Sequence, residues 1–312
     1  MRRIDLARVA ASLITGVLVA AGCAAAAPSP VDEGGSGAAG GGGSGGAVPD
    51  AGGYDGAVLD GADFGDGSGN GMCAGEAKDV YVVDYDRRLY RFAPAALTFD
   101  EVGELDCAPA QIFSMAVDRN AVAWALAIDG TMIRYDIASH LCSPLSFATG
   151  QHGFITFGMG FSSNDKGSAD ETLFVSSASD LGLATVDTQT LELDPVGVYD
   201  QLGGRVELTG TGDGQLFGVF EGSPYVVAEI AKTSAAILSQ APQPDVVLPP
   251  GGSNFAFAFW GGDFWLFVGP GGATTDVFRY RPADGTTTKV AHVDFEIVGA
   301  GVSTCAPTVP PN

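Results

Sequence analysis

Two of the 37 acidic side chains stand where a pair could do chemistry. Glu207, in RVELTG, and Glu296, in DFEIVGAG, each stand at the start of a strand-like run in which small residues alternate with apolar ones. Cleaving a glycosidic bond needs two carboxyls in different environments, one protonated to assist the leaving group and one ionised. A facing Glu207–Glu296 pair would meet that need. The plainer expectation, and the leading one, is a pair of hydrated glutamates at strand ends.

Matching positions elsewhere carry Gln111, Thr156 and Asn254, polar groups suited to holding a ligand, and His152 in GQHGF lies on an approach loop. Five further acids, Asp86, Asp129, Asp180, Glu221 and Asp276, fall where turns are expected. They could collect cations or hydroxyl-rich sugars, but aspartate is also a favoured turn residue and turn chemistry is the expected role. The three histidines, His140, His152 and His292, show neither a Ser-His-Asp order nor metal-ligand spacing. The segment DGADFGDGSGNG offers Asp60, Asp63, Asp66 and Asn70 as oxygen donors of the kind calcium takes. Glu76 falls one residue short of the bidentate position of a calcium loop, so a solvated acidic linker is expected and no metal. No cofactor motif is present and no cofactor is expected.

The formal net charge is −22. Such a surface repels phosphate backbones and anionic lipid heads, and no basic, aromatic-interleaved stretch offsets it, so nucleic acid is excluded as a partner.

The first 22 residues read as a secretory signal: Arg2, Arg3 and Arg8 precede an uncharged, mostly apolar run from Val9 to Ala21, too short for an ordinary transmembrane helix. The run ends VAAGC, Val19 to Cys23, which resembles the bacterial lipoprotein signal. That resemblance implies cleavage before Cys23, acylation of its thiol and attachment to a lipid bilayer. Ala24, rather than aspartate, after the cysteine implies the outer membrane of a Gram-negative cell. Residues 23–71, with GGSGAAGGGGSGG, have too little apolar surface to offset the entropy of ordering, and read as a flexible tether. Its average reach is roughly 35–40 Å. GGSGG within it matches the serine-hydrolase G-x-S-x-G pattern without the strand and helix that pattern needs.

Beyond the tether the elements that position the candidate residues repeat. FSMAVD from Phe113, FGMGFS from Phe157, LTGTGD from Leu208, FAFAFW from Phe255 and VGAGVS from Val298 are spaced by 44, 51, 47 and 43 residues. Small residues recur two apart in them, on one strand face, where they permit close backbone approach. Three more strand-like runs follow each of the first four. The pattern resembles the four-stranded blades of a β-propeller, over residues 72–307, with 308–312 as a tail. The domain begins with DVYVVDYDRRLYRFA, a unit lacking its opening strand. Val298–Val302 is that strand, so the chain's last strand closes its first blade and the fold class is all-β, a ring of five blades.

Closure argues for the disulfides. Cys73 and Cys305 flank the two strands that should pair, and Cys107 leaves the first blade while Cys142 lies in the outer strand of the second. Cys73–Cys305 and Cys107–Cys142 are expected, in an oxidising compartment. Trp124, Trp260 and Trp265 are expected in the core. Propeller resemblance implies binding at one mouth of the channel, by a module whose ligand is a protein or a carbohydrate. A carbohydrate-active enzyme using Glu207 and Glu296 is the alternative, and a structural subunit of an envelope assembly the second.

Overall fold

A computed structural model describes residues 73–246, 254–269 and 274–311. The signal, Cys23, the tether and the calcium candidates Asp60, Asp63, Asp66 and Asn70 lie outside the described residues.

Among the described residues twenty strands form five antiparallel sheets of four. The first blade holds β1 (Val80–Asp84), β2 (Arg88–Ala93) and β3 (Thr98–Glu104), and the second holds β4 (Ile112–Val117), β5 (Val122–Ala127), β6 (Met132–Asp136) and β7 (Leu141–Pro144). The third comprises β8 (Phe157–Ser163), β9 (Glu171–Ser177), β10 (Leu183–Val186) and β11 (Leu193–Gly197). The fourth comprises β12 (Val206–Gly210), β13 (Leu216–Phe220), β14 (Tyr225–Ile230) and β15 (Ile237–Gln243). The fifth comprises β16 (Asn254–Trp260), β17 (Asp263–Gly269), β18 (Thr275–Arg281) and β19 (Thr286–Val293). The last strand, β20 (Ile297–Val302), returns to the first sheet and pairs with β1, Val80 opposite Val302 and Val83 opposite Gly299.

Composition sorts the strands by radius. The innermost are mostly buried, and β20, IVGAGV, is buried along its whole length and carries small or apolar residues only. The outermost, such as TTTKVAHV of β19, are largely polar and partly or fully exposed. Close approach at the centre demands the missing side chains. A Cβ on Gly158 would lie 1.9 Å from the carbonyl oxygen of Val206 on the next inner strand, and one on Gly301 would lie 2.9 Å from the carbonyl carbon of Ala116.

Five buried clusters fill the spaces between neighbouring blades. The one between the last blade and the first joins Ala256, Trp265 and Phe267 to Val80, Phe92 and Ala300, so the ring is shut by the same packing that joins its other members. Phe92 sits against both Trp265 and Phe267, edge to face. Truncating such a ring to alanine costs about 3–5 kcal/mol.

Both expected disulfides form, Cys73–Cys305 with Cα atoms 6.1 Å apart and Cys107–Cys142 at 5.6 Å. Trp124 and Trp265 are core residues. Trp260 is only half-buried and lines an open groove of about 530 Å³ beside the C-terminal residues, which corrects its expected place in the core.

Candidate functional site

One backbone bond recurs at the start of each of four blades. The N–H that opens the turn between second and third strands donates to the carbonyl just before the inner strand or at its start: Tyr85 to Glu296, Ile128 to Gln111, Ala178 to Thr156 and Glu221 to Arg205. These bonds, 2.8 to 3.0 Å long, place the turns and the approaches to the inner strands on one face, called the upper face below.

Glu207 lies within β12, not ahead of it, and its carboxyl is buried rather than hydrated. Its Oε2 accepts a 2.6 Å hydrogen bond from the hydroxyl of Ser114 on β4, whose oxygen in turn accepts from the Met159 N–H of β8 at 3.1 Å. Three inner strands thereby meet at one carboxyl. Burial pushes the Glu207 carboxyl up to about 8, against the opposing effects of the Ser114 hydroxyl, the Arg205 guanidinium and the Met159 N–H. At neutral pH it is mostly a neutral acid.

Glu296 is buried as well, which corrects the expectation of a hydrated strand end. The side-chain amide of Asn254 donates to its Oε1. Of the two glutamates only Glu207 lines the cavity at the mouth. This cavity, of about 60 Å³, has Tyr85, Gln111, Arg205, Asn254 and Phe255 among its other walls, and Glu296 is joined to it through the Asn254 amide. A space of that size holds a few waters, whereas small-molecule pockets run to roughly 300–1,000 Å³.

Of the polar residues expected at the mouth, Gln111 and Asn254 reach the cavity. His152 is exposed on a short 3₁₀ turn and Thr156 is half-buried, and neither lines it. Arg205, Tyr85 and Phe255 are members that sequence reasoning missed. The Arg205 guanidinium lies 4.8 Å from the centre of the Phe255 ring and 3.0 Å from Glu221. Its position two residues before Glu207 was the available signal.

Three of the acids in the turns have hydrogen-bond or ion-pair partners. Asp129 accepts from the Thr131 N–H at 3.0 Å, Asp180 from the Gly204 N–H at 2.6 Å, and Glu221 pairs with Arg205. Asp276 belongs to β18 rather than to a turn, and meets Lys289 at 2.7 Å and His292 at 2.6 Å.

On the opposite face a further, half-buried carboxyl escaped the sequence reading. Glu171, the first residue of β9, accepts from the Arg119 N–H and from the Thr304 hydroxyl, each at 2.8 Å. Burial pushes it up to about 7, while those two hydrogen bonds and the Arg119 charge oppose the shift. The Arg119 side chain also donates to Thr304 at 3.0 Å, so this group bolts the second and third blades to the residue beside Cys305.

No family model matches the chain, and no curated protein matches it in sequence. Solved structures similar to it include a structural genomics protein of unknown function from Bacteroides thetaiotaomicron VPI-5482, 12% identical over 75% of this chain and 64% of that one, with a TM-score of 0.49. An auxiliary nutrient binding protein from Bacteroides ovatus is 11% identical over 73% of this chain and 60% of that one, with a TM-score of 0.45. The chain thus spans less than two thirds of the length of either, and at such identities neither assigns it an activity.

Proposed function

We propose that the chain is an extracytoplasmic, lipid-anchored binding module that meets its ligand with the upper face and carries out no catalysis. The observation that supports this is the geometry of the mouth. The cavity beside Glu207 is about 60 Å³, and both candidate carboxyls are engaged in hydrogen bonds between blades, so they serve as fastenings. What the face offers instead is a broad rim of turns held by repeated backbone bonds. The two disulfides fit an oxidising compartment outside the cytoplasm. Acylation at Cys23 would hold the ring on its tether, and membrane labelling with radioactive palmitate tests that; a Cys23→Ser chain that still incorporates label removes the anchor from this reading.

One observation favours the enzyme alternative. A carboxyl pushed up to about 8 is protonated at neutral pH, as a general acid must be. A panel of chromogenic glycosides, run beside a glycan array on the chain carrying Cys23→Ser, separates the two readings. Retention of a glycan without turnover supports the module. Turnover that Glu207→Gln abolishes establishes the enzyme and ends the present reading.

A further inference from the structure

We infer that the upper face carries an off-axis apolar arc, Tyr85–Ile128–Ile155–Leu181–Val198, that docks a protein partner presenting apolar side chains flanked by lysine or arginine. The inference deepens the binding-module reading and rests on it.

Among the described residues eight large hydrophobic side chains are exposed, and five of them stand on this one face. Their exposures are 48% for Tyr85, 50% for Ile128, 56% for Ile155, 39% for Leu181 and 67% for Val198. The other three, Leu141, Leu238 and Val309, are scattered over outer strands and the tail. Single exposed hydrophobics are ordinary, whereas a contiguous set marks a place of contact.

Hydrogen bonds and backbone spacings show that the turns carrying them are neighbours. The Gln111 side-chain amide donates to the Tyr85 hydroxyl at 3.3 Å, and the Gln111 carbonyl accepts from the Ile128 N–H at 2.9 Å. A Cβ on Gly130, two residues on, would lie 3.1 Å from the Ile155 carbonyl oxygen. One on Gly153 would lie 3.1 Å from Leu181 Cδ1, and one on Gly182 would lie 2.6 Å from the Val198 Cα. The turns that carry the five residues therefore neighbour one another in order, from the first blade to the approach of the fourth. Its turns are pinned by backbone bonds, so little ordering entropy is lost on docking.

Charge chooses the partner. Exposed aspartates interleave the arc: Asp86 follows Tyr85, Asp129 follows Ile128, Asp180 precedes Leu181, and Asp200 lies two residues past Val198. Of the arginines near these turns, Arg87 is held by Glu104 at 3.2 Å and the Ala108 carbonyl at 3.0 Å, Arg205 pairs with Glu221 at 3.0 Å, and Arg88 is exposed at the start of β2, so the aspartates set the sign of the charge. An apolar strip set in negative charge is complementary to a cationic amphipathic surface. It opposes a second copy of itself and an anionic bilayer by like-charge repulsion.

The test uses the mature chain with Cys23→Ser, exported so that its disulfides form, and a fluorescent amphipathic leucine–lysine peptide as the probe. Leucine–glutamate and serine–lysine peptides of the same length are the comparisons. The leucine–lysine peptide is expected to bind alone of the three. Ile155→Ser with Leu181→Ser is expected to weaken it by about tenfold or more, and Leu141→Ser with Leu238→Ser to leave it unchanged. Equal binding of the serine–lysine peptide overturns the arc, because charge alone then suffices. So does absence of any binding, or concentration-dependent self-association that the arc variant abolishes. Binding that survives the arc variant but is lost in Gln111→Ala with Asn254→Ala also overturns it, while leaving the module itself standing.

Discussion

The carboxyl of Glu207, on the inner strand of the fourth blade, takes a 2.6 Å hydrogen bond from Ser114 on the inner strand of the second. The third blade lies between them, and it yields the space because Gly158 has no side chain; a Cβ there would stand 3.0 Å from the Glu207 Cα. The centre of the ring is thus tied across, not merely around.

That tie gives stability a pH dependence. The Glu207 carboxyl rises from its ordinary 4.5 to about 8 on burial, so the folded chain holds more protons than the unfolded one between those values. The stability this group contributes is then complete below about pH 4.5 and is lost as pH rises through 8, by an amount on the order of a few kcal/mol. Urea denaturation of Glu207→Gln should show a flatter profile across that window than the parent. A parent profile that does not fall, with the variant's running parallel to it, would show the carboxyl to be better solvated than its setting implies. Glu171, raised to about 7, should contribute a separate decline that Glu171→Gln removes.

Gly158→Ala should be among the most damaging single substitutions. The new Cβ would meet the backbone oxygen of Val206 at 1.9 Å, and a backbone atom cannot turn aside as a side chain can. Overpacking costs about 1–3 kcal/mol and more where nothing relaxes. A thermal midpoint unchanged by this substitution would mean the inner strands are not seated as closely as described.

The two disulfides should differ in effect. Cys73–Cys305 closes a loop with a sequence separation of 232, and Cys107–Cys142 one of 35. Chain entropy predicts about 5 kcal/mol for the first and about 4 for the second. Replacing Cys73 and Cys305 by serine together should lower the denaturant midpoint more than the same change at Cys107 and Cys142.

Closure by the last strand makes truncation costly and permutation cheap. A chain ending at Glu296 lacks β20, leaves β1 without its inner partner, and should lose cooperative unfolding. A chain in which the ends are joined and new ones opened between Thr188 and Gln189, in an exposed turn, should fold, because Cys73 and Cys305 already lie 6.1 Å apart at Cα. Circular dichroism with a melting curve reads both. A cooperative truncated chain would show that the fifth interface carries little of the stability.

Sequence alone determined the ring, its five members and the partner strand of β1, because small residues two apart and a missing opening strand are local, periodic signals. It also sufficed for both disulfides once closure was read. Only the tertiary structure decided what the glutamates do. Glu207 was legible as a residue near a strand start, but its desolvation depends on Ser114 and Met159, 93 residues and 48 residues away in the chain, converging on one point. The apolar arc escaped sequence reading for the same reason. Tyr85, Ile128, Ile155, Leu181 and Val198 look like isolated turn residues until the ring brings their turns to one face. Period and spacing are properties of neighbours along the chain, whereas burial and charge belong to neighbours in space.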